Sequence, residues 1–233
     1  GGYWDVILLK LDLSGNNLWA KQYGGGGAEY ATSIEIDSSG NIYLGGLTQA
    51  SSLGGNDMLL LKYDSSGNFI WDYRFGSSGH DRMEEMVIDS SDNIHTIGYI
   101  YSPNYQIGDV LYSKINTDGQ EITSKIFSTG ITAYPTDIIL DTDENPIIMG
   151  WIRDSFDGNL YQGEKDTFIV KLDENNEILW SKQIGTSGSE ESGATLMLDQ
   201  AGNLIFICST SGSFPGFTNN GGYDVFLMKF PAP

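Results

Sequence analysis

Three acids sit at one repeated position, eight residues before a second, recurring aspartate: Glu29, Asp81 and Glu191, with Ala133 at the fourth occurrence. A ring of carboxylates could hold a cation or a polyol. It could equally accept backbone N–H groups in the surrounding glycine-rich loops. Asp141-Thr142-Asp143-Glu144 is the other cluster of hard oxygen ligands. It does not match an EF-hand loop, so calcium is the one metal the sequence leaves open, against the simpler reading of a solvated acidic turn. No other cofactor is expected. The two histidines, His80 and His95, have no Cys or His at zinc-ligand spacing and read as surface residues of a loop and a strand. His80-Asp81-Arg82 is the one place where general acid–base work can be imagined. No strand is followed by a Gly-x-Ser-x-Gly nucleophile turn. The Gly24–Gly27 run lacks the lysine and helix of a phosphate loop. The lone Cys208, inside Leu204-Ile205-Phe206-Ile207-Cys208, reads as a buried inert thiol.

These residues must be positioned by elements, and the elements repeat. Asp followed five positions later by Lys occurs at Asp5–Lys10, Asp57–Lys62, Asp109–Lys114, Asp166–Lys171 and Asp224–Lys229, with spacings of 52, 52, 57 and 58. A second motif is an apolar strand ending in Asp, a short polar turn, and another apolar strand. It appears as Ile34–Asp37 with Asn41–Leu44, Met86–Asp89 with Asn93–His95, Ile138–Asp141 with Asn145–Ile148, and Leu196–Asp199 with Asn203–Phe206. A third strand centres on Leu18-Trp19, Ile70-Trp71 and Leu179-Trp180, with Ile122-Thr123 as its degenerate copy. Each unit therefore reads as four strands. In the first unit these are A (Tyr30–Asp37), B (Asn41–Thr48), C (Asp57–Tyr63) and D (Asn68–Phe75). The A–B and C–D turns carry Asp, Ser, Gly and Asn, which tolerate the positive φ of tight hairpins. No segment sustains helical periodicity. Tandem four-stranded units of about 50 residues indicate β-propeller blades.

Quoted as they stand, YATSIEIDSSGNIYLGGLT and GGNDMLLLKYDSSGNFIWDYRFG resemble the bacterial and archaeal SBBP β-propeller repeat. The resemblance covers almost the whole chain. It implies a propeller found mostly in exported proteins, secreted or held at the cell surface, and no defined catalytic residues. The third copy departs from the pattern. Asp143-Glu144-Asn145-Pro146 replaces the Gly-Asn turn and the D-strand Trp is lost, so that blade is expected to be the least regular.

The expected fold is all-β: about four four-stranded antiparallel blades over residues 1–230, closed by pairing of terminal strands, with 231–233 starting a linker. The alternative is a segment of a larger ring. There are four A, B and D strands but five C strands, so one C strand is surplus. Open edges favour pairing, which makes self-association through the terminal strands an expectation. The chain opens on Gly1-Gly2-Tyr3-Trp4 without Met and reads as a mature or excised piece, so the lack of a signal peptide is uninformative.

With 12 basic against 31 acidic residues, the net charge of -19 works against nucleic-acid backbones and anionic membranes. No apolar run approaches the roughly 18 residues that span a bilayer. Nine of the twelve cations fall at repeat positions on C and D strands, where they read as cross-strand partners for acids. The B–C loops vary in length and sequence and carry Tyr101, Tyr105, Phe156, Tyr161, Phe214 and Phe217. Variable loops on a rigid scaffold are where recognition usually lives. The expectation is a non-catalytic recognition or display module whose ligand is a glycan or a protein met on that loop face. The acids Glu29, Asp81 and Glu191 are expected around the channel mouth. The other readings are a structural assembly unit of a surface layer, filament or oligomer and, ranked last, a glycan hydrolase or lyase using those carboxylates.

Overall fold

The computed structural model describes residues 4–50, 54–102, 107–127 and 132–231. It is built of strands alone among the described residues. Strands β1 (Val6–Leu11) and β2 (Asn17–Tyr23) form a two-stranded hairpin. Three complete sheets follow: β3 (Glu29–Ile36), β4 (Ile42–Thr48), β5 (Asp57–Tyr63) and β6 (Phe69–Phe75); then β7 (Arg82–Ile88), β8 (Ile94–Ser102), β9 (Ile107–Ile115) and β10 (Glu121–Phe127); then β11 (Ala133–Leu140), β12 (Pro146–Ile152), β13 (Asp166–Leu172) and β14 (Ile178–Ile184). The last sheet has three strands: β15 (Glu191–Leu198), β16 (Leu204–Thr210) and β17 (Asp224–Phe230). All neighbours are antiparallel and sequential, which makes each sheet a meander.

The C strands explain how the sheets stack. Their residues alternate between two sheet faces. Leu59, Leu61 and Tyr63 of β5 face the preceding hairpin and pack with Val6 and Leu8. Met58 and Leu60 face the following sheet and pack with Met83, Met86 and Ile115. The same division recurs: Val110 and Tyr112 pack forward onto Phe168, Val170 and Leu172, and Ile169 packs forward onto Phe206 and Cys208. A strand buried on both faces must be apolar throughout, which is why MLLL and FIV read as runs rather than alternations. Leu60 is fully buried, and truncating such a leucine to alanine costs about 2–5 kcal/mol.

Each A–B turn is stapled by its aspartate. Asp37 Oδ1 accepts from Ser39 N and Asn41 N, and the pattern repeats at Asp89, Asp141 and Asp199. The C-strand lysine of the same sheet then reaches that aspartate: Lys62–Asp37 at 4.0 Å, Lys114–Asp89 at 2.8 Å, Lys171–Asp141 at 2.7 Å and Lys229–Asp199 at 2.6 Å. Lys10 belongs to a hairpin without an A strand. It lies over Trp19 instead and donates to Ser65 O. The two departures expected in the third copy fall in different sheets: the altered turn joins β11 and β12, in a sheet whose D strand β14 keeps Trp180, whereas the Trp is lost at Ile122-Thr123 of β10, and both sheets form four strands. Glu144 takes the left-handed conformation (φ 63°) that Gly40 and Gly202 take in other turns.

The expected closure by terminal strands is not seen. Among the described residues no sheet joins the two ends: β2 pairs with β1, and β17 is an edge strand. The surplus C strand is the reason. β1 offers β2 the same Asp-apolar-Lys partner as β17 does, across a turn of a few residues rather than roughly 200, a difference in closure entropy of about 3 kcal/mol. Among the described residues the sheets therefore run in series, with a two-stranded sheet first and a three-stranded sheet last.

Candidate binding groove beside strand β17

A cavity of about 590 Å³ lies along β17, the edge strand of its sheet among the described residues. Val225, Leu227 and Asp224 of β17 form one wall, and Phe214, Phe217 and Asn219 of the B–C loop form the other. Val225 and Phe217 are 76% and 78% exposed, so the groove is apolar and open. Phe214 is anchored from behind, its ring 4.5 Å from that of Phe226. In the complete sheets the aspartate at the start of the C strand is buried, as at Asp57 and Asp166, whereas Asp224 is half-exposed.

The loop that frames this groove has a twin. In residues 153–165, Asn159 N donates to Phe156 O, Tyr161 N to Ser155 Oγ (3.3 Å) and Gln162 N to Asp166 Oδ2 (2.9 Å). In residues 211–223, Phe217 N donates to Phe214 O, Asn219 N to Ser213 Oγ (2.9 Å) and Asn220 N to Asp224 Oδ2 (3.0 Å). The second loop is the first displaced by 58 residues. The first loop clasps a strand: Phe156 N donates to Gln183 Oε1 (2.9 Å), and Gln183 Nε2 donates to Asp154 O (2.9 Å) and Asp166 Oδ2 (2.8 Å). Asn159 Nδ2 donates to Ser181 Oγ at 2.8 Å. Among the described residues no strand lies in the second loop, where Phe217 stands at the position of Asn159.

Among the aromatic residues expected to bind ligand, Phe214 and Phe217 are brought together in this groove. Phe156 is buried against Phe127 and Phe168 in the core. Tyr101 is half-buried; its backbone N–H donates to Asp81 and its ring lies against Gly79. Tyr161 is half-buried in its own loop, and Tyr105 lies outside the described residues.

The three repeated acids are buried inside the D–A connections, at 3%, 1% and 0% exposure for Glu29, Asp81 and Glu191. Glu29 accepts from Thr48 Oγ1 (2.9 Å) and Gly25 N (3.3 Å). Asp81 accepts from Ser77 and from Tyr101 N (2.8 Å). Glu191 accepts from Thr186, Ser189 and Thr210. Each ties a loop to the end of a B strand. The carboxylates that line the axial pocket of about 500 Å³ are a different set, Glu35, Glu85 and Asp137, contributed by the inner strands β3, β7 and β11. Glu85 accepts from Ser33, and Asp137 from Thr195 Oγ1 and Leu196 N. Burial and the nearby Glu85 raise the Glu35 carboxyl above its ordinary value. Sequence reasoning missed these residues because each inner strand has a register shift just before them, such as Ala31/Ser33, that turns the strand.

At the acidic turn, Asp141 is committed to Lys171, Asp143 N and Asn145 N, and Glu144 to Ser90 N. Among the described residues no group of three or more His, Cys, Asp and Glu is placed to hold a metal ion. His80 is exposed and accepts from Asn56 N at 3.1 Å. His95 is buried rather than on the surface as expected, between Asp89 (3.2 Å) and Tyr112 (2.8 Å), and burial holds its pKa below the usual value.

Repeated four-stranded meanders, stacked with their A strands innermost, agree with one comparison of sequence. Residues 18–54 match the family model SBBP, described as a beta-propeller repeat. The match covers the hairpin strand β2 and the first two strands of the next sheet. No curated protein matches this chain. Among solved structures, the acylaminoacyl peptidase of Pyrococcus horikoshii is similar over 88% of this chain and 31% of its own, at 10% identity and a TM-score of 0.49. The extracellular domain of a protein designated the one component system BT4673, from B. thetaiotaomicron, covers 91% of this chain and 23% of its own, at 13% identity and a TM-score of 0.45. A tail fiber of Staphylococcus aureus phage P68 covers 87% and 50%, at 8% identity and a TM-score of 0.31. The chain thus spans less than a third of the first two proteins. At these identities and TM-scores the likenesses bear on no function.

Proposed function

We propose that this chain is a non-catalytic recognition and display module of an exported protein, and that it captures an extended protein segment on its B–C loop face. One observation carries the reading: an apolar groove runs between the edge strand β17 and the loop of residues 211–223. It combines an open sheet edge, whose backbone groups hydrogen-bond any extended peptide, with an apolar pocket that selects side chains. An edge of this kind favours a protein segment over a glycan, because strand addition uses the regular backbone spacing of a peptide. The buried acids support the non-catalytic part of the reading. Glu29, Asp81 and Glu191 are each engaged by local donors and hold loops in place.

The test uses a labelled peptide with the sequence of residues 177–185, which contains β14, titrated with the whole chain by fluorescence anisotropy. Saturable binding is expected, weakened about tenfold by Phe217→Ala and by Val225→Asp, a loss near 1.4 kcal/mol. A glycan array is run beside it. Glycan binding that depends on Phe217, with no peptide binding, overturns the protein-segment reading.

A further inference from the structure

We propose that the outer edge of β10 is a self-association surface, on which β10 of a second copy of this chain pairs antiparallel about a two-fold axis through Ser124. This surface is separate from the groove beside β17.

Each complete sheet has its D-type strand at the outer edge, so β6, β10 and β14 are all edge strands. A free edge presents a row of unpaired backbone N–H and C=O groups and is a template for another strand. Two of the three edges are guarded. On β6, Asp72 and Arg74 form an ion pair at 2.9 Å, and Arg74 also donates to Ala50 O (2.7 Å) and Tyr23 (3.0 Å). Charged side chains on an edge oppose pairing. On β14, Ser181 and Gln183 are held by the loop of residues 153–165, through Asp157, Asn159 and Phe156 N. Among the described residues β10 has neither device on its exposed face. Ile122, Ser124 and Ile126 alternate onto that face and are all exposed, the two isoleucines by 53% each. The opposite face carries Thr123, where β6 and β14 have Trp71 and Trp180, and is held by the next sheet. Asn176 Nδ2 donates to Thr123 Oγ1 (2.6 Å), and Lys125 Nζ donates to Asn176 O (2.5 Å).

The symmetry of this span selects its occupant. In antiparallel pairing centred on Ser124, Ile122 of each copy faces Ile126 of the other, and Thr123 of each faces Lys125 of the other. Two apolar cross-strand pairs form and no like charges stand opposite. The only ionisable side chain within 122–126 is Lys125, so a chain of net charge -19 pairs here without setting acids against each other. The other edges lack this symmetry. Pairing of β6 about its centre would set Asp72 against Asp72 and Ile70 against Arg74. Like charges directly opposite are destabilising. Pairing of β14 about Ser181 would set Leu179 against Gln183. A two-fold contact uses the same patch on both copies and closes at two. It joins two four-stranded sheets into one of eight strands. Because the paired strands run antiparallel, the two loop faces point in opposite directions and both stay free.

The residue on the axis gives the test. In a Cys208→Ala background, Ser124→Cys sets two thiols opposite each other, at a Cα separation that a disulfide spans. Air oxidation should give a covalent dimer on non-reducing gels. Ile122→Cys alone should give at least tenfold less, because its two copies lie four residues apart along the strand, about 13 Å. Mixing Ile122→Cys with Ile126→Cys should restore the cross-link. Circular dichroism and thermal melting check that each variant is folded. No cross-link in folded variants, or as much from Ile122→Cys alone as from Ser124→Cys, overturns the proposal. Sedimentation equilibrium needs no cysteine. The unmodified chain should dimerise, and Ser124→Asp, which sets two carboxylates face to face on the axis, should weaken the dimer at least tenfold. A monomer throughout, or a dimer that Ser124→Asp leaves unchanged, also overturns the proposal. Binding of the 177–185 peptide should be the same in Ser124→Asp as in the parent, so failure of the groove and failure of this edge are read separately.

Discussion

Replacing Asp89 with alanine tests the staple that every A–B turn uses. Asp89 is the most heavily committed of these aspartates: its side chain is 1% exposed. Oδ1 accepts from Ser91 N and Asn93 N, and Oδ2 from Lys114 Nζ at 2.8 Å, Asn93 Nδ2 at 3.0 Å and His95 Nε2 at 3.2 Å. These donors hold its carboxyl well below the usual carboxylate range. Removing one partner of a buried pair costs about 3–5 kcal/mol. Lys114 is partly exposed and regains some hydration, which places the cost near the lower limit, about 3 kcal/mol. For a chain of this length about 1 kcal/mol moves Tm by roughly 2–4 °C, so Asp89→Ala should lower it by about 6–12 °C. Asp89→Asn keeps acceptors for the turn and should lose about half as much. Differential scanning calorimetry at pH 7 measures both. A loss under about 2 °C for alanine, or equal losses for alanine and asparagine, refutes the staple. The same site has a pH signature. The folded pKa of His95 lies below the ordinary 6.5, because burial disfavours the cation. The unfolded chain therefore binds that proton first. Stability from neutral His95 is present above 6.5 and lost as pH falls through the folded value. The decline of Tm between pH 7 and 5 should be shallower in His95→Gln than in the parent; an equal slope would separate His95 from acid sensitivity.

Three further outcomes follow from other parts of the fold. Glu35 is half-buried and faces Glu85, so Glu35→Gln removes a desolvation cost and a repulsion; Tm should rise by about 1–2 °C, a gain near 0.5 kcal/mol after solvent screening, and a fall would contradict the raised carboxyl. A Cβ on Gly185 would lie 2.0 Å from Asp166 Oδ1, whereas Gly158 has open space and a positive φ of 76°; in urea titrations Gly185→Ala should cost several times more than Gly158→Ala, whose cost is about 1 kcal/mol, and the reverse order would refute the close packing. Burial pushes the Cys208 thiol up to about 11, so Ellman's reagent at pH 8 should fail to label the folded chain and label it fully in denaturant; rapid labelling of the folded chain would contradict the buried site.

Strand order and turns were legible in the sequence because they depend on neighbours in the chain. The Asp37–Asn41 type of turn needs only a side-chain oxygen, two backbone N–H groups and a residue that tolerates positive φ. The C-strand lysines were legible as partners of acids, since Lys114 and Asp89 recur at fixed offsets. A clue to the groove was also present: the 58-residue displacement from Asp166 to Asp224 runs through both loops. Position in space was less legible. His95 looked like a surface histidine, and its burial follows from the next sheet lying over β8. Glu29, Asp81 and Glu191 looked like channel residues, whereas the bulges at Ala31/Ser33 and Met83/Glu85 turn Glu35 and Glu85 to the axis instead.

By itself the sequence determined the repeating unit: four antiparallel strands, their turns, and the two apolar faces of every C strand. Local hydrogen bonding and side-chain alternation suffice for that. Tertiary structure alone decided which C strand takes β2: among the described residues β1 does, and β17 lies at a sheet edge with a formed loop beside it. β1 and β17 carry the same motif, so composition cannot rank them. The choice rests on chain connectivity and on which sheet faces are already covered, and both are properties of the assembled fold.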